Sequence, residues 1–337
     1  MLIVLSHFTH PDDAIERATL DGRAELYVQP AATAAANPVP MAVRARADAI
    51  IHFAANTFPD GEPAHYPKVR ALLRSGVGFD KLDLKAWGAR GVPVFNVPDY
   101  GTSEVADHAI ALMLSLVRGT ATYNDAIRAN PAGNWAPRIA PVVRRLRGQV
   151  FGVVGLGRIG LAAALRARGF GMEIAFYDPY LPSGMEIAVG AKRQKSLHDL
   201  MAMADILSIH APSSEETRSM IDAAALARAK PGMVLINTAR GVIVDLDALH
   251  DALKDGRLAA AGLDVLPVEP ADARHKLIAA WRGRESWIEG RLALSPHAAF
   301  YSPDAVVDMR RSGVTTILAC LETGSLQNCV NLHLLKR

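Results

Sequence analysis

The run Val153-Val154-Gly155-Leu156-Gly157-Arg158-Ile159-Gly160 decides how the rest of the chain is read. It is a G-x-G-x-x-G that closes the apolar stretch Gln149–Val154 and opens a helical pattern at Arg158. Each glycine has a mechanical reason at this spacing. Gly155 permits a tight turn out of a strand, Gly157 lets backbone N–H groups approach a pyrophosphate, and Gly160 lets the helix lie close to the strand. The helix N-terminus at Arg158 and Ile159 then turns free N–H groups and the positive end of its dipole toward an anion. A glycine turn alone is a weak signal, but here strand, helix and the next strand, Glu173–Tyr177, stand in order. That next strand ends at Asp178, about 20 residues on, where a carboxylate can bind both hydroxyls of an adenine ribose. A carboxylate repels a 2′-phosphate, and Pro179 and Tyr180 supply no cation for one, so the reading favours NAD over NADP. The plainer alternative makes Asp178 a strand-end turn residue.

Outward from this motif, strands at Ile206–His210, Val234–Asn237 and Ala260–Leu263 alternate with helices beginning near Ser196, Asp222 and Asp245. Such alternation predicts a doubly wound parallel sheet. Short apolar runs at Leu2–Leu5, Glu25–Val28, Ala49–Phe53, Ala71–Ser75 and Val92–Asn96, with a helix over Leu82–Arg90, predict a second parallel α/β sheet. Between them, Thr102 to about Arg128 has helical periodicity, with an apolar stripe at Val105, Ala109, Leu112, Met113, Leu116 and Val117. His108 reads there as a residue packing on its helix. A last helix, Asp304 to Glu322 with Gly324 as its C-cap, lies outside the motif-bearing stretch and is expected to cross back to the first.

A length of 337 residues predicts two domains, and a composition 50% hydrophobic with 21% charged residues predicts a folded chain. The formal charge of +3 is small, and basic residues cluster only at Arg144, Arg145, Arg147 and at Arg310, Arg311, which argues against a nucleic-acid partner. Cys320 and Cys329 make no disulfide framework and are expected to be reduced. Met1–His7 reads as a strand rather than a signal peptide. The longest apolar run, Ala109–Leu114, falls far short of the ~20 residues that span a bilayer. The expectation is a cytoplasmic protein with no membrane partner. His7 and His10 have no ligand cluster beside them, so no metal is expected.

Three more segments carry chemistry: Ile236-Asn237-Thr238-Ala239-Arg240-Gly241, Gly262-Leu263-Asp264-Val265-Leu266-Pro267-Val268-Glu269-Pro270, and Ser295-Pro296-His297-Ala298-Ala299 after a short strand at Leu292–Leu294. All would fall at carboxyl ends of parallel strands, the edge where open α/β sheets bind ligands. An arginine forks onto a carboxylate, a histidine carries a proton, and a glutamate can hold an imidazole and raise its pKa. Singly, Arg240 reads as a surface arginine, His297 as a capping or core histidine, and Glu269 as a solvated loop residue. Their joint placement beside a dinucleotide motif turns them into a candidate site.

In order along nearly the whole chain run Gly76-Val77-Gly78-Phe79-Asp80, Asn96-Val97-Pro98, Val105-Ala106-Asp107, the glycine motif, His210-Ala211-Pro212, Asn237 to Gly241, Asp264 to Pro270, and Ser295 to Ala299. With these motifs the chain resembles the D-isomer-specific 2-hydroxyacid dehydrogenases. Gly78-Phe79-Asp80, Asp107 and Pro296-His297-Ala298-Ala299-Phe300-Tyr301-Ser302 look closest to the C-terminal binding proteins, the corepressor branch of that family. The resemblance implies a Rossmann NAD-binding domain over 100–298 and a flavodoxin-like substrate domain from 1–99 with 299–337, with a cleft between them. It implies that Arg240 binds the substrate carboxylate and polarises its carbonyl, that His297 donates a proton, and that Glu269 keeps His297 protonated. The backbone at Val77 and Gly78 would also bind the carboxylate. Thr102 and Asp264 would contact the nicotinamide end, Thr238 and Ala239 would lie with the cofactor, and His210, Pro212 and Thr217 would border the adenosine end. Hydride would pass between NADH and a small 2-oxo acid, giving a D-2-hydroxy acid, in a homodimer supported by the helix from Thr102, whose apolar stripe is compatible also with burial inside one subunit. The rival reading is an NAD(H)-sensing oligomeric scaffold of the corepressor kind with little turnover. One departure is Ala271–Arg291, which is longer than in typical relatives. Its Trp281 and Trp287 either pack that segment onto the body or overhang the site. Phe300 is expected in an apolar pocket wall.

Overall fold

The apolar runs form two parallel sheets in the computed structural model, which describes residues 1–53, 58 and 63–335. The chain divides into Met1–Gly101 with Tyr301–Arg337, and Thr102–Phe300.

In the first unit the strands are β1 (Leu2–Phe8), β2 (Glu25–Pro30), β3 (Ala49–His52), β4 (Ala71–Arg74) and β5 (Val94–Phe95), with helices α1 (Ala14–Leu20), α2 (Met41–Arg44) and α3 (Leu84–Ala89). Their order, β2-β1-β3-β4-β5, is that of the flavodoxin-like sheet. Side chains alternate between faces with a period of two, and both faces are covered. Ile3, Leu5, Ile51 and Leu73 enter one apolar cluster, while Val4, Ile50 and Leu72 enter the other.

The second unit holds β6 (Val150–Val154), β7 (Glu173–Tyr177), β8 (Lys192–Arg193), β9 (Ile206–Ile209), β10 (Met233–Asn237), β11 (Leu258–Leu263) and β12 (Leu292–Leu294). The order β12-β11-β10-β9-β6-β7-β8 is a doubly wound Rossmann sheet whose direction of winding reverses between β6 and β9. Its helices are α4 (Thr102–Val117), α5 (Thr120–Ala129), α6 (Arg158–Gly169), α7 (Met185–Ala188), α8 (Leu197–Met203), α9 (Ala223–Ala227), α10 (Leu246–Lys254) and α11 (Lys276–Arg282). The expected starts at Ser196, Asp222 and Asp245 are N-caps whose side-chain oxygens accept backbone N–H groups of the first turn.

Two expectations change. The stretch from Thr102 to Arg128 is not continuous, because the chain turns at Gly119 (φ 67), where an added Cβ would lie 2.4 Å from that of Ala140. The apolar stripe of α4 is buried in the unit's own core with β6, β10 and β11, so it is no argument for a second subunit. Within Ala271–Arg291 an unexpected helix, α11, buries Leu277 and Ala280 with Leu249 and Leu253 of α10. Trp287 lies edge-on to His250 at 5.2 Å, which is the packing alternative for that side chain, while Trp281 stays 38% exposed.

The last helix, α12 (Pro303–Thr323), belongs to the first unit, capped by Ser302 and ended by Gly324. Met309, Val314, Ile317 and Leu318 pack into the cluster around Ile3 and Leu73. Arg310 forks onto Glu16 of α1, with Nε 2.8 Å from Oε1 and an Nη 2.6 Å from Oε2, the two side chains being 6% and 0% exposed. No helix among the described residues is long and apolar enough to cross a membrane. Removing one member of a buried pair leaves an uncompensated charge. Glu16→Ala is therefore expected to cost about 3–5 kcal/mol in urea unfolding of the full chain. A loss below about 1 kcal/mol, the worth of a surface pair, would contradict this.

Candidate active site

Parallel pairing sets six strand ends of the second unit in one row. Tyr177 pairs with Val154, Val154 with Ile209, Ile209 with Asn237, Asn237 with Leu263, and Leu263 with Leu294. One residue further along each strand stand Asp178, Gly155, His210, Thr238, Asp264 and Ser295. All but Ser295 are site residues predicted from sequence. The winding reversal places Gly155 and His210 side by side at the switch point, where such sheets bind ligands.

The residues around this point fit a dinucleotide. Gly155 turns with φ 84, and a Cβ on it would lie 2.8 Å from the Ala211 nitrogen, so a side chain would drive the loops after β6 and β9 apart. A Cβ on Gly157, the N-cap of α6, would meet nothing within 4 Å, which leaves a cradle beside the first turn at Arg158 and Ile159. Asp178 steadies the turn, its Oδ2 accepting from the Leu156 N–H at 3.0 Å and its Oδ1 from the Tyr180 N–H at 3.0 Å. Thr102 Oγ1, Thr238 Oγ1 and His210 Nδ1 are buried without a hydrogen-bond partner among the described residues. Buried polar atoms are normally satisfied, so such orphans fit a hydrogen-bonding ligand. Burial pushes the His210 imidazole down to about 4, which keeps it neutral near pH 7. Its Nε2 shares a hydrogen bond with Ser208 Oγ at 2.9 Å. Thr217 closes its own loop, its hydroxyl donating to the Pro212 carbonyl at 2.7 Å.

Arg240, Glu269 and His297 come from three neighbouring loops. Glu269 Oε2 lies 2.8 Å from His297 Nδ1, and its Oε1 accepts from the Leu266 N–H at 3.0 Å. Arg240 follows β10 and Ala239, with an Nη donating to the Ala239 carbonyl at 2.7 Å and its own carbonyl accepting from Asn237 Nδ2 at 3.0 Å. Gly241 is what lets the arginine and glutamate loops meet, since a Cβ there would lie 1.9 Å from the Leu266 carbonyl carbon. Burial raises the Glu269 carboxyl, but the His297 hydrogen bond, the Leu266 N–H and the charges of His297 and Arg240 together outweigh it and hold the carboxyl below its ordinary value. The Phe300 ring stands edge-on to His297 at 6.4 Å.

Asp264 and His108 make contacts that the sequence did not show. Asp264 is 2% exposed and engaged with the loop that carries His297. Its Oδ1 accepts from the Ala298 N–H at 2.8 Å and from Ser295 Oγ at 2.7 Å, and its Oδ2 from the Ala299 N–H at 3.0 Å. His108 does more than pack on α4, for its Nε2 lies 2.8 Å from Ser295 Oγ. The available signal was its spacing from Val105 and Leu112, which puts an imidazole on the buried stripe, where it needs a partner. In the first unit, Val77 and Gly78 follow β4, and the Val77 carbonyl accepts from Asn96 Nδ2 at 2.7 Å.

Residues 110–299 match the family model described as D-isomer specific 2-hydroxyacid dehydrogenase, NAD binding domain. The chain belongs to this dehydrogenase family. The D-3-phosphoglycerate dehydrogenase of Mycobacterium leprae is 41% identical over 224 residues, which is 66% of this chain and 42% of that protein. The match thus spans less than half the length of such curated relatives. A solved D-lactate dehydrogenase from Aquifex aeolicus, complexed with NAD and lactic acid, superposes with a TM-score of 0.81 at 26% identity, covering 98% of this chain and 99% of that one. An NADPH-dependent glyoxylate/hydroxypyruvate reductase from Sinorhizobium meliloti, complexed with NADP and malonate, gives 0.82 at 29% identity, covering 100% and 98%. These matches establish the family and do not single out its corepressor branch.

A carboxyl held low contributes stability above its ordinary range, and that contribution is lost as pH falls through the folded-state value. The 13C titration of the Glu269 carboxyl is accordingly expected to have its midpoint below 4.5. A midpoint at or above that value would contradict the pairing with His297.

Proposed function

We propose that this family member is an NAD-dependent D-2-hydroxyacid dehydrogenase that interconverts a small 2-oxo acid and its D-2-hydroxy acid. The observation that carries the reading is the 2.8 Å pair of His297 and Glu269, which also lies within reach of the charge of Arg240. A bound nicotinamide supplies the hydride for reduction or accepts it in oxidation. The Arg240 fork binds the substrate carboxylate and draws electron density from the neighbouring carbonyl. Glu269 holds the proton on Nδ1 of His297, so Nε2 is the atom that gives a proton to the carbonyl oxygen or takes one from the hydroxyl. Thr102, Thr238 and His210 supply polar atoms for the cofactor. The substrate-binding part assigned to Val77 and Gly78 rests on the resemblance alone.

The Asp178 carboxylate at the end of β7 supports NAD over NADP, because a carboxylate repels a 2′-phosphate. The nearby Arg193 donates to the carbonyls of Asp178, Leu181 and Pro182 and to Glu186, so its guanidinium is already engaged with the loop. The reading includes a cytoplasmic homodimer. With the α4 stripe buried in its own unit, the dimer rests on the resemblance.

The test is oxidation of NADH by the purified chain against a panel running from glyoxylate and pyruvate to hydroxypyruvate and phenylpyruvate. Turnover of at least one member is expected, with NADPH the poorer donor and Asp178→Ala narrowing the gap. His297→Ala is expected to lower kcat by about 10²–10⁴-fold. Because reduction consumes a proton and oxidation releases one, lower pH should favour reduction and higher pH oxidation. No turnover of any 2-oxo acid, or a near-wild-type rate without the imidazole, overturns the reading.

A further inference from the structure

We infer that His108 is a positioning residue that sets the orientation of the His297 imidazole through Ser295 and Asp264. The inference rests on the dehydrogenase reading of the same site and assigns the reaction a residue on a different element.

His297 stands at φ 54, a left-handed conformation that a non-glycine residue keeps only when its surroundings hold it there. The holding group is Asp264. Its carbonyl accepts the His297 N–H at 2.8 Å, and its carboxylate takes the two following N–H groups and the Ser295 hydroxyl. These donors come from residues on both sides of His297, so the placement of one carboxylate determines how the imidazole leaves the loop.

The direction of the hydrogen bonds extends the chain by one member. Ser295 has a single hydroxyl proton, and that proton goes to Asp264 Oδ1. The serine oxygen therefore accepts at its other contact, and His108 Nε2, 2.8 Å away, is the donor. The same nitrogen lies 3.6 Å from Asp264 Oδ1, where an N–H dipole favours the buried carboxylate. The His108 side chain is 27% exposed and is anchored on α4, a sixteen-residue helix packed against β10 and β11. The path runs from a rigid helix through Ser295 and Asp264 to His297, and from there to Glu269. Without the His108 donor, the serine hydroxyl is free to rotate and the carboxylate loses its nearest support outside the loop.

The experiment uses the full chain labelled with 13C at the histidine ring carbons, the His297 signal being assigned by its loss in His297→Ala. His108→Leu is expected to shift or broaden the His297 signal, and His108→Gln, whose amide N–H replaces the donor, to restore it. In turnover with NADH, His108→Leu should lower kcat by about 10–100-fold, as a small misplacement of a reacting group does. The NADH Kd should be unchanged, and the same substitution in a His297→Ala background should have no further effect. If His108→Leu does not fold, Ser295→Ala cuts the same link. An unmoved His297 signal in either folded variant overturns the inference, as does an equal loss of kcat with and without His297. Failure of the dehydrogenase reading would show separately, as absence of turnover in the wild type, and leaves the ring signal as the readout.

Discussion

Parallel strands share a direction, so their carboxyl ends all fall on one edge of the sheet. In the second unit, in-register pairing narrows that edge to a single row of residues. The backbone hydrogen bonds from Tyr177 across to Leu294 align Asp178, Gly155, His210, Thr238, Asp264 and Ser295 before any side chain chooses a partner. Everything proposed for the site depends on this row. A one-residue slip of a strand would turn its apolar side chains from one core face to the other, and burial on both faces opposes that.

Close backbone approach does the next part of the work, at two glycines. Gly155 lets the loops after β6 and β9 touch, and Gly241 lets the arginine loop lie against the backbone of the loop that carries Glu269. Charge then orders what contact has assembled. Glu269 stays ionised because His297, the Leu266 N–H and Arg240 all favour its charged form, despite burial. Asp264, fully inside, is kept by donors from the loop it organises. The site thus contains two carboxylates with different tasks, one oriented toward the imidazole ring and one holding the loop behind it.

Both sheets were legible in the sequence, because alternating apolar runs and N-cap residues such as Ser196, Asp222 and Asp245 are local signals. The glycine motif was legible because it directly follows a strand, and Arg240, Glu269 and His297 were picked out because each lies in the loop after one. What sequence did not show depends on contacts distant along the chain. The role of Asp264 rests on loop N–H groups more than thirty positions away, and that of His108 on a serine 187 positions away. The break at Gly119 was hidden because a lone glycine inside a helical pattern is tolerated, and α11 because an inserted segment has no motif to place it. The α4 stripe was open to two uses, and only the packed structure shows which one it serves.

The central claim is hydride transfer to the carbon of a carbonyl whose oxygen is protonated by His297. The most direct test gives the purified chain a 2-oxo acid and NADH deuterated at the transferring position of the nicotinamide, then locates the label in the product by mass spectrometry and chiral chromatography. The account predicts deuterium on the hydroxyl-bearing carbon of a D-2-hydroxy acid, with product formation lost in Arg240→Ala. An unlabelled product, an L-configured one, or undiminished product from the Arg240 variant would contradict it.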